Sequence, residues 1–236
     1  MKRLIAVILI IAGILLVSYQ LVSDYLFKQE HTPEYTEKIT LDITAEDMAA
    51  NNEKEVENDY EAITNLDTLD SYRRIGEREV PEHVIAQIII PSMNRNLAVS
   101  KGVNVENLWV GVATMKLEQS LGEGNYAIAG HNHRINGSLF NGLEFLPAGE
   151  DIYITDKIKI YHYKTYDNLT TGPDAFYLLE DGIANDRGKP VLSLMTCARP
   201  IEDDLRIFVQ AELVDVYDYD RDYFYRLFSG NEVPEE

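Results

Sequence analysis

The chain has 236 residues, of which 45% are hydrophobic, and a formal net charge of −19. This length and apolar content suffice to bury the core of one globular domain, or of two small ones. The acidity argues against a nucleic-acid partner, which would require a basic face. The single cysteine excludes an intramolecular disulfide framework and any multi-cysteine metal site.

The N-terminus has the pattern of a membrane anchor. Two basic residues, Lys2 and Arg3, precede 20 uncharged residues from Leu4 to Ser23. As a helix this run would span about 30 Å, the thickness of a bilayer's hydrocarbon core. A cleaved signal peptide is the alternative, but the run is too long and no small-x-small cleavage site follows it. We predict an uncleaved anchor over residues 1–23, with the rest of the chain outside the cell membrane.

The acidic excess is concentrated in the two flanks of the remaining chain. Residues 24–80 have few large apolar side chains and predict a solvated spacer, with a short helix within Asp59–Arg74 that docks on the domain as the alternative. Residues 217–236 form an acidic C-terminal tail, which could be a last strand, a short helix or a flexible end. Residues 81–216 remain as the predicted folded domain.

Short apolar runs separated by turn residues fill that domain and predict strands of four to nine residues. Two segments, Val105–Val112 and Ser138–Leu146, have the pattern of brief helices. Many short strands favour an all-β barrel or sandwich. The predicted strands are Val84–Ile90, Asn96–Val99, Tyr126–Ala129, Asp151–Thr155, Lys157–Tyr163, Ala175–Leu179, Val191–Cys197 and Arg206–Val214.

Cys197 ends one of these strands and has two interpretations. Strand alternation places it on one face with Met195, and Thr196 on the other. A lone cysteine is most often a small buried apolar residue. It is a candidate nucleophile if a histidine lies near it in space to take or balance its proton.

His131 and His133 follow the strand Tyr126–Ala129 directly. By themselves they are two polar loop residues, and a zinc pair completed by Cys197 lacks an obvious further ligand. Arg206 begins the last strand, opposite its apolar face, either as an ordinary exposed arginine or as a fixed cation for a developing oxyanion. Arg199 is the rival for that role.

Together these motifs resemble those of the sortase family, class A in particular. The resemblance covers roughly residues 84–214. It is carried by Ser193-Leu-Met-Thr-Cys197, Gly130-His131-Asn132 and Arg206-Ile-Phe-Val209, and by the upstream motifs Ile88-Ile-Ile-Pro91, Lys101-Gly102, Thr114-Met115-Lys116 and Gly124-Asn125-Tyr126. It implies a mainly β fold: a closed, eight-stranded sortase-type β-barrel with short helices, preceded here by the N-terminal transmembrane helix.

The resemblance also implies an activity and roles for individual residues. The enzyme would be a cysteine transpeptidase that cuts Leu-Pro-x-Thr-Gly-like (LPXTG) sorting signals of surface proteins between Thr and Gly. It would then join the Thr carbonyl to an amine of the lipid-linked peptidoglycan precursor. Cys197 would form the thioacyl intermediate, His131 would be general acid and base, and Arg206 would stabilise the oxyanion. Ala129, Met195 and Thr196 match positions that line or adjoin the family's peptide groove.

Two alternatives remain open, a thiol peptidase that hydrolyses the same signal and a non-catalytic barrel that binds cell-wall components. No cofactor is expected. Some class A sortases bind calcium through acidic residues before the histidine strand, but here Lys116 and Gln119 occupy that stretch. Since calcium prefers six or more oxygen ligands, we predict no calcium requirement.

Overall fold

The computed structural model describes residues 2–63, 83–133, 135–198 and 204–229. Eight strands close into a barrel in the order β1-β2-β3-β4-β7-β8-β6-β5, with β5 pairing back onto β1. The closed eight-stranded barrel expected from the sequence is thereby confirmed. The strands are β1 Val84–Ile90, β2 Arg95–Ser100, β3 Val112–Thr114, β4 Asn125–Gly130, β5 Asp151–Thr155, β6 Lys159–Thr171, β7 Val191–Cys197 and β8 Arg206–Asp218.

Helices and 3-10 turns precede, connect and follow the barrel strands. The helices are α1 Lys2–Glu30, α2 Pro33–Thr40, α3 Ala45–Asn52, α4 Val105–Val110, α5 Gly182–Arg187 and α6 Arg221–Phe228. The 3-10 turns are Tyr60–Ala62, Pro91–Met93, Leu143–Phe145 and Ala175–Leu179. Thr32 and Thr44 cap the N-termini of α2 and α3 with their hydroxyl oxygens, which defines where these short helices begin.

Side-chain alternation along the strands separates two apolar clusters. On β7, Leu192 and Leu194 point into the barrel interior, where they pack with Ile128 and Val209 of the neighbouring strands. Met195 and Cys197, on the opposite face of β7, belong to a second cluster. Since successive residues of a strand face opposite sides, the outer cluster is a separate layer that other segments of the chain must cover.

Helix α1 is long and apolar enough to cross a membrane, judged by length and composition. Its last turn and the residue after it pack on the barrel instead. Phe27 is buried, and its ring stacks between His31 and His133 at centroid distances of 4.0 and 3.9 Å. His31 also lies 2.7 Å from the carbonyl oxygen of Trp109. The apolar helix therefore joins the barrel through a packed aromatic contact.

Two predicted elements are wrong in detail. The predicted strand Ala175–Leu179 is a 3-10 turn that lies against the outer face of the sheet, with Ala175, Leu178 and Leu179 buried. The predicted helix Ser138–Leu146 is reduced to the turn Leu143–Phe145, because Leu139 and Gly142 have positive φ angles of 45° and 87° that a right-handed helix cannot contain.

The flanks are structured where they are described. Strand β8 continues to Asp218 and α6 follows it, so the acidic tail begins as strand and helix. In the N-terminal flank, α2 packs against β2 and α3 against β1. The possible helix within Asp59–Arg74 falls outside the described residues from position 64 onward. The domain limits 1–23, 24–80, 81–216 and 217–236 stay a prediction.

Candidate active site

The ends of two parallel strands bring His131 and Cys197 to the same edge of the barrel. Strands β4 and β7 are hydrogen-bonded neighbours, with Ala129 in register with Met195. Two residues further along the chain, the same register reaches His131 and Cys197. Both are buried. Parallel neighbouring strands end at the same edge, so residues 66 positions apart in the sequence lie at the same edge of the barrel.

Arg206 completes this edge from the other side of Cys197. Strand β8 runs antiparallel to β7, and its first residue, Arg206, is the register partner of Cys197. The Arg206 guanidinium donates from Nη1 to the main-chain and side-chain oxygens of Asp204, at 3.0 and 3.1 Å. The three residues predicted from the sequence thus lie at one end of three adjacent strands, β4, β7 and β8.

Burial dominates the electrostatics of the thiol. It raises the pKa of Cys197 above its ordinary value, the nearby Arg206 cation lowers it in part, and the Asp204 carboxylate raises it again. A protonated thiol is a poor nucleophile. In this arrangement Cys197 therefore needs a base, or a weaker influence of Asp204, before it can attack a carbonyl.

An apolar cluster on the outer face of the barrel surrounds Cys197, at the place where the predicted peptide groove would lie. Ala129 of β4, Met195 of β7 and Phe208 of β8 share the outer cluster with Cys197, and the turn Ala175–Leu179 packs over them. The predicted groove residues Ala129 and Met195 are therefore beside the thiol.

Thr196, the third predicted groove residue, faces the other side of β7. Its hydroxyl donates to the carbonyl oxygen of Gly130 at 2.7 Å, and the side chain is buried. This bond links β7 to β4 at the residues just before Cys197 and His131. The structure therefore brings Thr196 to the adjoining strand and not to the surface of the groove.

A segment of the N-terminal flank covers Cys197. We call residues 58–63 the covering segment. Ala62 and Ile63 are buried in the outer cluster, and the Cys197 Sγ lies 3.6 Å from the carbonyl oxygen of Ile63. Asn58 accepts from the Val103 amide at 2.8 Å and donates to the Met115 carbonyl at 3.1 Å. The thiol is 2% exposed as a result.

The remaining sequence candidates are elsewhere. His133 is buried and its ring stacks on Phe27, and Arg199 lies outside the described residues. Sequence reasoning missed Asp204, and it offered docking of residues within Asp59–Arg74 on the domain without the contact between Ile63 and Cys197. Asp204 was detectable only as a carboxylate two residues before Arg206, and nothing in the composition of residues 58–63 indicates what they touch.

Comparisons of the sequence and of the fold with known proteins both find the sortase family. Residues 88–214 match the family model described as the Sortase domain. Over 213 residues the chain is 30% identical to Sortase A of Listeria monocytogenes, covering 90% of this chain and 91% of that protein. Over 133 residues it is 36% identical to Sortase A of Bacillus anthracis, covering 56% of this chain and 61% of that protein.

Solved structures agree. The structure of sortase A from Listeria monocytogenes aligns with a TM-score of 0.56 and 29% identity, covering 62% of this chain and 98% of that one. Sortase E from Streptomyces avermitilis aligns with a TM-score of 0.50 and 25% identity, covering 58% and 91%. Both alignments cover nearly all of the known structure.

Proposed function

Because this chain belongs to the sortase family, we propose that it is a membrane-anchored cysteine transpeptidase acting on LPXTG-like sorting signals. It cleaves the signal between Thr and Gly and transfers the surface protein to an amine of the cell-wall precursor. One observation carries the assignment of residues: Cys197, His131 and Arg206 lie at the same end of three adjacent strands. No nucleic acid takes part.

The first half-reaction makes a thioester and releases the glycine fragment. The Cys197 thiolate attacks the Thr carbonyl carbon, and the electron pair of the C=O bond moves to oxygen. Arg206 stabilises that oxyanion. As the carbonyl re-forms, the Thr–Gly C–N bond breaks, and His131 gives its proton to the departing Gly amine. The product is an acyl group bound through sulfur to Cys197.

The second half-reaction reverses these roles with a new amine. The amine nitrogen of the cell-wall precursor attacks the thioester carbon, and His131, now neutral, takes a proton from that nitrogen. The C–S bond then breaks and the Cys197 thiolate is regenerated. A thioester held in an apolar groove survives until an amine arrives because water has little access to it, and this favours transfer over hydrolysis.

The surroundings suit an extended apolar peptide. Ala129 leaves space beside His131, and Met195 with Phe208 supplies a flexible apolar floor. Arg206 must exchange its contact with Asp204 for the substrate oxyanion, and residues 62–63 must leave the groove before the peptide enters. Helix α1 holds the barrel at the membrane, where a lipid-linked amine would be presented.

The test uses full-length protein in detergent micelles, since the end of α1 packs on the barrel. A quenched peptide containing Leu-Pro-Glu-Thr-Gly is incubated with glycine-, alanine- or diaminopimelate-type amines, and the products are identified by mass. We expect a joined product that disappears in Cys197→Ala, His131→Ala and Arg206→Ala. Thr165→Val, which removes hydrogen bonds to Pro147 and Glu150 away from the three strand ends, is the matched control and retains the product.

Two results would contradict the proposal. A free Thr carboxylate with every amine, and no joined product, would identify a thiol peptidase. No turnover, together with a Cys197 that does not react with thiol reagents, would identify a non-catalytic barrel.

A further inference from the structure

We propose that Asn132 is a positioning residue for this reaction, fastening the strand end that carries His131 to the strand end that carries Cys197. The inference rests on the proposed function. The side-chain amide group of Asn132 donates from Nδ2 to the carbonyl oxygen of Cys197 at 3.0 Å. Asn132 is thus the residue after His131 in the chain and a direct partner of the nucleophile's own backbone.

The other end of the Asn132 side chain is held as well. Its Oδ1 accepts from Asn141 Nδ2 at 3.2 Å, and both side chains are buried. The amide plane is therefore fixed by one bond on each side. A buried amide that lost either partner would leave a polar group unsatisfied, which is costly in free energy, so the arrangement resists rotation.

Arg95 anchors this chain of hydrogen bonds to the barrel wall. From β2, its Nη2 donates to the carbonyl oxygen of Asn141 and its Nε to that of Leu139, each at 2.7 Å. Burial lowers the pKa of Arg95 to about 10, so its guanidinium remains charged at neutral pH. Hydrogen bonds from a charged donor are roughly twice as strong as neutral ones, and the loop is held at two points.

The loop between His131 and Asn141 is braced at its beginning too. The Phe140 amide donates to the carbonyl oxygen of His131 at 3.0 Å. A Cβ at Gly130 would lie 2.7 Å from the Phe140 ring and 2.8 Å from Val112. The backbone on both sides of His131 is closely packed. The Thr196 hydroxyl ties Gly130 to β7 one residue earlier, and Asn132 ties the loop after His131 to Cys197 itself.

Such a brace matters because proton transfer and attack depend steeply on distance. A misplacement of about 1 Å can cost about a hundredfold in rate. Asparagine suits the position because its side chain both donates to the Cys197 carbonyl and accepts from Asn141. Aspartate has the same shape but, when ionised, only accepts. Alanine does neither.

The experiment measures full-length protein in detergent micelles with the quenched peptide and an amine. The variants are Asn132→Ala and Asn132→Asp, with Asn107→Ala as the matched control. Asn107 is equally buried and also donates to main-chain carbonyls, those of Lys101 and Gly102 at 3.1 and 2.8 Å. It belongs to α4 and does not touch Cys197 or the 131–142 loop in any described hydrogen bond.

We expect both Asn132 variants to lose about 10- to 100-fold in kcat, with KM changed by less than about threefold. The control should lose comparable thermal stability and keep its kcat. Asn141→Ala, one bond further out, should lose less kcat than Asn132→Ala, and it replaces that variant if Asn132→Ala fails to fold. A kcat that falls equally in all variants, or in none, would overturn the positioning role.

A second readout separates this inference from the proposed function. If the wild-type protein forms no product, the proposed function fails, and positioning is judged from the pH at which Cys197 alkylation is half maximal. The distance between imidazole and thiol sets how far each perturbs the other. That pH should therefore shift in Asn132→Ala and not in Asn107→Ala. Identical pH profiles of Cys197 alkylation in Asn132→Ala and in the wild type would refute the positioning role of Asn132.

Discussion

Replacing Asn58 by alanine should uncover the thiol of Cys197. Asn58 holds the covering segment with two hydrogen bonds, accepting from the Val103 amide at 2.8 Å and donating to the Met115 carbonyl at 3.1 Å. Val103 is fully buried, so the substitution leaves its amide without this acceptor. Other contacts persist, including the Asp59 amide bonded to the Val103 carbonyl at 2.7 Å.

The magnitude follows from these contacts. A hydrogen bond contributes about 0.5–1.5 kcal/mol net, and an unsatisfied buried group costs about 1–3 kcal/mol. Allowing for the contacts that remain, we expect the closed state to lose about 1.4 kcal/mol, which raises the open population about tenfold. If closing is fast compared with alkylation, the alkylation rate follows that population, and it also rises about tenfold.

The assay is the rate of iodoacetamide modification of Cys197, followed by mass at fixed pH with full-length protein in detergent. Thr165→Val is the matched control. It removes hydrogen bonds to Pro147 and Glu150, which belong to neither the covering segment nor the groove. An Asn58→Ala protein alkylated at the wild-type rate would refute the reasoning, because Cys197 would then be reached with Ile63 in place.

Three further results are expected. Asp204→Asn should speed alkylation of Cys197 severalfold at pH 7 and by less at pH 10, because the carboxylate raises the pKa of the thiol; asparagine also tolerates the positive φ of 51° at this position. Unchanged pH profiles would show that the carboxylate does not act on the thiol. Burial lowers the pKa of His31 below 6.5, so folded protein resists its protonation and the stability of the docked α1 should fall as pH drops below 6.5. The fluorescence emission of Trp109, the only tryptophan, reports this change. An equal pH response in His31→Gln would show that a group other than His31 causes the loss of stability. Thr196→Val should cost about 1 kcal/mol, or a melting temperature lower by roughly 2–4 °C for a chain of this size; an unchanged melting temperature would show that the bond to the β4 carbonyl contributes nothing.

The strands made of short, mostly apolar runs were predictable from local pattern. Val84–Ile90, Asp151–Thr155 and Val191–Cys197 are predicted and observed with the same limits, because runs rich in β-branched and apolar residues suit strands that are buried on both faces. The three-residue β3 carries too few residues for such a signal. Ala175–Leu179 is apolar like a strand, yet it becomes a turn because the sheet beneath it offers a surface to cover and no edge to pair with.

The candidate site, like the strands, could be predicted from the sequence only in part. The residue types and spacing of Cys197, His131 and Arg206 identify the family, and the chemistry of thiol, imidazole and guanidinium limits what they could do. Their meeting depends on the order of β4, β7 and β8 in the closed barrel. That order arises from pairings between strands far apart in the chain, which no local pattern encodes.

Sequence alone determined the apolar helix at the N-terminus and most of the barrel-forming strands, because each depends on nearby side chains. Its motifs also named Cys197, His131 and Arg206, through their resemblance to the sortase family. Only the tertiary structure decided that Asp204 holds Arg206, that Asn132 links the two strand ends, and that Ile63 covers the thiol. These are contacts of one polar or apolar group with another brought close by the fold. Their strength comes from burial, which the order of residues along the chain does not reveal.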